Sequence, residues 1–148
     1  ASAPLKEGHI HEELSRVGDP SWDLGPAVFR ENARRCHVTV HFDVLEHADV
    51  QAAMRAYLYA RLNVDLPGYR PKLPPASIRQ AFNRARRFFA FARLALGRLD
   101  LNRIDQALAD AYVRHLRADP ARRPVIVGHL LEVVSDLYHY RYSRCHKR

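Results

Sequence analysis

The sequence predicts an all-α fold, with four helices behind an irregular N-terminal extension that contains a short strand. Apolar residues recur every three or four positions in four segments of the 148-residue chain, which is the period of a helix buried on one side. A single segment near residue 40 alternates apolar and polar residues, as a half-buried strand does. Prolines and glycines separate these segments. We therefore expect an extension over residues 1–47 and a helical domain over residues 48–148.

The extension contains turn signals at residues 18–20 and 25–26 and a few large apolar side chains. Those expected to pack onto the body are Trp22, Leu24, Val28 and Phe29. From Cys36 to Val44 the pattern predicts a strand. Its inward residues would be Val38, Val40, Phe42 and Val44. A lone strand needs a partner, which is either the N-terminal segment or another molecule.

The first two helices are predicted over residues 48–63 and 77–96. Asp49 suits the start of the first helix, and the second begins at the capping residue Ser77 and ends at Gly97. A proline-rich loop, residues 64–76, separates them. The inward residues are Val50, Met54, Tyr57, Leu58, Arg61 and Leu62 in the first helix, and Ile78, Phe82, Ala85, Phe89, Ala92 and Leu96 in the second.

The last two helices are predicted over residues 106–118 and from about residue 124 to Arg144. Asp105 would cap the third, and Arg122-Arg123-Pro124 would open the fourth. Glu132 and Asp136 would make the outer face of the fourth helix partly acidic. The inward residues are Leu108, Ala111, Tyr112 and Leu116 in the third helix, and Ile126, Leu130, Val133, Leu137 and Tyr140 in the fourth.

The positive charge is concentrated in the second half of the chain. The net charge is +8, and residues 76–148 hold 15 Lys and Arg against 6 Asp and Glu, a net charge of +9. This asymmetry indicates an anionic partner for the second half. Arginine far outnumbers lysine, which favours forked contacts to phosphate and guanine.

The second helix carries five arginines and no acid, and Arg79, Arg86 and Arg93 form one stripe at seven-residue spacing. An acid-free basic face is typical of a protein that binds a polyanion. Solvated basic faces are also common, so a contact with an acidic protein stays an alternative. The predicted phosphate contacts on double-stranded DNA are Arg79, Arg84, Arg86, Arg87, Arg93, Arg122 and Arg123, and the candidates for base edges are Asn83 and His129.

Other kinds of site have weak signals. His37 and His41 would be about 13 Å apart on a strand, so they cannot share one ion. The remaining His and Cys clusters, His9 with His11 and Cys145 with His146, lack zinc-site spacing. Ser135 and His139 lack an orienting acid, and the phenylalanines fit the core better than a base-stacking surface. We expect no metal, no cofactor and no catalytic residue.

The location predicted from the sequence is the cytoplasm. Cys36 and Cys145, the two cysteines, do not form a disulfide framework, which favours a reducing compartment. No segment is apolar enough to span a membrane, and the N-terminus lacks a signal-peptide pattern.

The order of these elements resembles the core-binding (SAM-like) domain of tyrosine recombinases and phage integrases. The similar features, over roughly residues 37–142, are the strand ending Val40-His41-Phe42-Asp43, the helix ending Tyr57-Leu58-Tyr59-Ala60-Arg61-Leu62, the basic helix with Phe88-Phe89-Ala90-Phe91, and a last helix with Tyr138-His139-Tyr140. In that family the domain forms half of a clamp on duplex DNA, and its second and fourth helices approach the major groove and flanking phosphates.

The resemblance implies a DNA-binding fragment of a recombinase, nucleoid-associated when bound to DNA. A separate catalytic domain with a tyrosine nucleophile would be its partner, and homo-oligomers would form on DNA. We expect that catalytic domain to be absent from this chain, which would then not be an enzyme. One departure is the start of the fourth helix, where Val127, Gly128 and His129 stand at positions that usually carry small polar and basic residues. The alternatives are a helical protein-interaction module and a helix-turn-helix regulator.

Overall fold

The predicted fold class is confirmed: the chain is mostly helical and has one small two-stranded sheet. The computed structural model describes residues 15–24, 39–65 and 71–146, with side chains as far as Tyr140. The elements are β1 (Ser21–Asp23), β2 (Thr39–His41), α1 (Ala48–Asn63), α2 (Ile78–Leu96), α3 (Gln106–Arg117) and α4 (Pro124–His146). The expectations for Val28, Phe29, Val38, His9, His11, Cys36 and His37 lie outside the described residues, and so do the side chains of Cys145 and His146.

The chain forms two compact units, residues 1–82 and residues 83–148. The boundary falls inside α2, a continuous helix whose first residues belong to the first unit. No helix in the described part of the chain is both long and apolar enough to cross a membrane.

The first unit contains a hairpin of β1 and β2, so the N-terminal segment is the strand partner. The strands are antiparallel, with Trp22 opposite Val40. Trp22 and Leu24 are fully buried, as predicted. The Trp22 ring lies edge-on to Phe42, with ring centroids 4.8 Å apart, and the Arg55 guanidinium lies 4.6 Å from the centre of the Phe42 ring. This aromatic cluster anchors the hairpin.

The predicted strand was too long at its C-terminal end. After β2 the chain turns through a 3-10 helix, Phe42–Val44, which the Leu45 amide closes by donating to the Phe42 carbonyl. The turn breaks the alternation, so Val44 is 46% exposed rather than inward, and Leu45 is buried.

Helix α1 has the predicted bounds, and its six predicted inward residues are all buried. Arg61, near its end, donates from Nη1 to the Pro71 carbonyl at 3.2 Å. The Leu73 amide donates to the Arg61 carbonyl at 2.7 Å, and Leu73 is buried. The described part of the proline-rich loop therefore packs back onto the end of α1.

In the second unit, α2 and α3 pack through aromatic side chains. Phe88 and Phe89 are fully buried, and the Phe88 ring lies 5.0 Å from the ring of Tyr112. Asp105 caps α3 as predicted, because its carboxylate accepts from the Leu108 amide at 2.9 Å. Gly97 ends α2 with a φ of +77°, as expected of a C-terminal glycine.

The start of α2 differs from the prediction. The chain enters α2 through a 3-10 turn, Pro75–Ser77, in which the Ser77 amide donates to the Pro74 carbonyl. Pro75, with its preset φ, begins this turn.

The predicted buried face of α4 was partly wrong. Ile126 is 44% exposed, and the buried row is Val127, Leu130 and Val133. Because Val125, Ile126 and Val127 are all apolar, periodicity does not distinguish which of them faces inward. Asp136, expected on the outer face, is fully buried.

Candidate nucleic-acid interface

The exposed side of α2 within the second unit is uncharged or positive along its length. We call the exposed residues Asn83, Arg86, Arg87, Ala90 and Leu94 the outer face of α2. The aromatic residues occupy the buried side, which turns Arg86 and Arg87 outward. Neither arginine makes a hydrogen bond or ion pair with a residue that the structure describes. Two unpaired guanidinium groups beside an amide suit phosphates and base edges.

Arg79 and Arg93 extend this stripe along the helix. Arg79 is exposed, and lies in the first turn of α2, which belongs to the first unit. Arg93 is half-buried, and both residues already have an interaction within the chain.

The Asp and Glu side chains of residues 83–148 all have partners other than Arg86 and Arg87. Asp100 and Asp105 cap the turns that precede and begin α3. Asp110 accepts from Gln106, and Asp119 accepts from the Ala121 amide. The remaining two lie on α4: Glu132 pairs with Arg84, and the buried Asp136 is also engaged.

Arg84 differs from the other predicted phosphate contacts. Its Nη1 donates to Oε2 of Glu132 at 2.9 Å, and its side chain is 23% exposed. Arg84 lies two residues before Arg86, a rotation of about 200° around a helix. It therefore lies on the opposite side of α2 from the stripe, and the geometry favours a structural role.

We expect Arg84→Ala to lower the free energy of unfolding by about 1 kcal/mol, because it leaves the half-buried Glu132 without its partner. Urea unfolding followed by helix circular dichroism measures this. Glu132→Ala and the double variant complete a cycle that isolates the pair. If the pair couples by less than about 0.3 kcal/mol, it makes no measurable contribution.

The residues before α4 add a second positive region. Arg123 and His129 are exposed, and Gly128 has open space where a side chain would begin. Arg122 is half-buried: its Nε lies 3.9 Å from Asp119, and its Nη1 lies 3.5 Å from the Leu116 carbonyl. Val127, which occupies one of the positions compared with the recombinase family, is buried. It therefore belongs to the core of the second unit.

Tyr112 was predicted only as a core residue, but its hydroxyl is unusual. The side chain is 1% exposed, and the hydroxyl has no hydrogen-bond partner among the described residues. Burial raises the pKa of Tyr112 above 10.0, while the positive charges of Arg87 and Arg122 act to lower it. A buried hydroxyl without a partner costs about 1–3 kcal/mol.

The raised pKa of Tyr112 predicts a loss of stability in alkali. The unfolded chain releases the Tyr112 proton near pH 10, and the folded chain releases it at higher pH. The stability contributed by keeping Tyr112 neutral is therefore fully present below about pH 10 and is lost as the pH rises above it. Urea unfolding at about pH 9 and about pH 11 should show a smaller fall for Tyr112→Phe than for the wild type. Tyr138→Phe, at an exposed position, is the control. Equal falls in all three proteins would contradict the prediction.

Sequence reasoning missed several exposed arginines of the second unit. Arg98 and Arg103 follow α2, and Arg114 and Arg117 lie in the last turn of α3. Basic residues near a helix C-terminus also complement the helix dipole, so their positions did not indicate a ligand. In the sequence, only the net positive charge of residues 76–148 indicated that these arginines could take part in binding.

The other candidate sites gain little from the structure. Phe82, Phe88 and Phe89 are buried, in agreement with a core role. Phe91 is half-buried, with its ring centroid 5.0 Å from that of His115. Within residues 15–24, 39–65 and 71–146, no three His, Cys, Asp or Glu side chains are grouped as a metal site.

Comparisons with known proteins found no matching family model, no similar curated protein and no similar solved structure.

Proposed function

We propose that this chain binds double-stranded DNA through the outer face of α2 and the arginines before α4. The observation that carries the proposal is the exposure of Arg86 and Arg87 on a face without acids, while the carboxylates of residues 83–148 are engaged elsewhere. Such a face attracts a polyanion.

Duplex DNA is favoured over single strands by the location of the aromatic residues. Proteins that bind single strands stack bases on exposed aromatic side chains. Here Phe88 and Phe89 are buried, and Phe91 already packs on Tyr112 and His115. The described part of α2 therefore offers charge for a phosphate backbone and little aromatic surface for bases.

The proposed contacts divide into two roles. Arg79, Arg86, Arg87, Arg93, Arg122 and Arg123 bind phosphates, which positions the protein without reading sequence. The exposed Asn83 and His129 reach base edges. Arg84 is left out of the phosphate set, because Glu132 already holds it.

The finer proposal is that the chain is the core-binding domain of a tyrosine recombinase or integrase, acting with a catalytic domain and as an oligomer on DNA. Four helices in the expected order, with the basic helix second, support it. The coding sequence that follows Arg148 tests it. We expect an Arg, a Lys, a His-x-x-Arg motif and a Tyr nucleophile there, and an unrelated domain would contradict the finer proposal alone.

Two other functions have less support. A helix-turn-helix regulator joins its two helices by three or four residues. Here residues 97–105 separate α2 from α3, and residues 118–123 separate α3 from α4. A protein-interaction module would use the same arginines to bind an acidic partner, with no specific observation in its favour.

A competition experiment separates these proposals. Fluorescence anisotropy follows a labelled duplex of about 30 base pairs, a length that holds several phosphate contacts, while unlabelled duplex, single-stranded DNA or poly-glutamate is added at equal charge. We expect unlabelled duplex to compete best. Stronger competition by poly-glutamate would favour the protein-interaction module and contradict the proposal.

A further inference from the structure

We propose that Arg87, Arg122 and the hydroxyl of Tyr112 form a seat for one backbone phosphate of the bound duplex. The inference rests on the proposed function and adds a specific site to it, within the second unit. It explains why a tyrosine occupies a position where phenylalanine would fill the same space.

Side chains of α2 hold the Tyr112 ring in place. It packs against Phe88 and Phe91 of α2, with ring centroids 5.0 Å and 5.2 Å apart. The side chain is 1% exposed, and its hydroxyl has no partner among the described residues. A buried donor of this kind is normally satisfied, and among the described residues this hydroxyl is available to an acceptor on a ligand.

The surroundings of the Tyr112 hydroxyl are positively charged. Arg87 precedes Phe88 and lies one helical turn before Phe91, the two residues that hold the Tyr112 ring. Arg122 reaches the same region from the loop before α4, where its Nη1 bonds the carbonyl of Leu116, one turn after Tyr112. Both positive charges act on the hydroxyl. The seat therefore joins α2, α3 and the start of α4.

The chemistry of these groups determines the ligand. Two guanidinium groups offer only donors and the neutral hydroxyl can donate one hydrogen bond, which matches the oxygens of a phosphate diester. The acid near the seat is Asp119, 3.9 Å from Nε of Arg122. At that distance it leaves other donors of the guanidinium available.

A phosphate oxygen must be able to reach the Tyr112 hydroxyl. The hydroxyl is closed to solvent in the unliganded chain, so a phosphate oxygen reaches it only after a side chain moves. Arg87 is exposed and has no ion pair or hydrogen bond to a described residue, so no described residue holds its guanidinium in place. In the bound state it would close over the same phosphate.

The test is Tyr112→Phe, which removes one oxygen and no charge. We expect duplex affinity to fall about tenfold, as for the loss of a hydrogen bond to a charged group. The salt slope of binding should stay unchanged, because no cation is lost. The unfolding midpoint should rise or stay the same. Tyr138→Phe, at an exposed position of α4, should change neither property.

A double-mutant cycle locates the contact. Arg87→Gln and Tyr112→Phe should be non-additive in duplex affinity, because the side chains of Arg87 and Tyr112 bind the same phosphate. Arg86→Gln and Tyr112→Phe should be additive. Unchanged affinity in Tyr112→Phe would overturn the inference, as would a lower unfolding midpoint, which would reveal a partner inside the chain.

The source of the phosphate is tested separately. One outcome is that inorganic phosphate raises the unfolding midpoint of the wild type but not of Tyr112→Phe, while the two proteins bind duplex with equal affinity. The seat would then hold free phosphate, and the inference would be overturned. A wild type that binds no duplex at low salt would contradict the proposed function itself.

Discussion

The double substitution Arg86→Ala/Arg87→Ala is expected to weaken binding to every duplex, on the order of 50-fold at about 0.1 M salt. Both side chains are exposed on the outer face of α2 and have no ion pair with a described residue. Each lost phosphate contact should also flatten the slope of log K against log salt by about 0.9. Anisotropy titrations on two unrelated duplexes at several salt concentrations measure both effects.

Arg84→Ala is the matched control for this pair. It removes one positive charge from the same helix, but that charge is already paired with Glu132. We expect the salt slope of Arg84→Ala to match that of the wild type. An unchanged slope in the double variant, or equal slopes for it and Arg84→Ala, would remove α2 from the interface.

Phe88→Ala should lower the free energy of unfolding by about 3–5 kcal/mol, the usual cost of truncating a buried aromatic residue. Phe88 is fully buried and packs on Phe89 and Tyr112. Urea unfolding followed by circular dichroism checks this value. Leu94→Ala removes a large apolar side chain that is 86% exposed on the same helix, and should change stability by less than about 0.5 kcal/mol.

The same position distinguishes a core role from base stacking. Phe88→Leu keeps most of the volume and loses the ring, so a base-stacking residue would lose affinity with little loss of stability. Under conditions in which Phe88→Leu is folded, we expect it to bind duplex with the same affinity as the wild type. A loss of affinity without a loss of stability would contradict the core assignment.

The helices were predictable because their apolar spacing is unambiguous. In α2, residues from Ile78 to Ala92 recur in steps of four and three, and those predicted to face inward are buried. At the start of α4 three apolar residues follow one another, so the sequence pattern fits more than one register and Ile126 was misplaced. The end of β2 depended on a local 3-10 turn at Phe42, for which alternation contains no signal.

The candidate site was predicted only in outline. Charge and the absence of acids identified α2, but they do not tell which arginine faces another helix. The pairing of Arg84 with Glu132, 48 residues away, depends on how α2 and α4 pack. The unpaired hydroxyl of Tyr112 could not be predicted either, because its helical position indicates a core residue whether or not the hydroxyl has a hydrogen-bond partner.

The most direct test of the DNA-binding proposal is the salt dependence of wild-type binding to a random duplex of about 30 base pairs, measured by fluorescence anisotropy. The proposed phosphate set predicts tight binding at low salt and a slope of about −3.6 to −5.4, corresponding to four to six contacts at about 0.9 each. Absence of binding at low salt, or binding that does not weaken as salt rises, would contradict the proposal that this chain grips the DNA backbone.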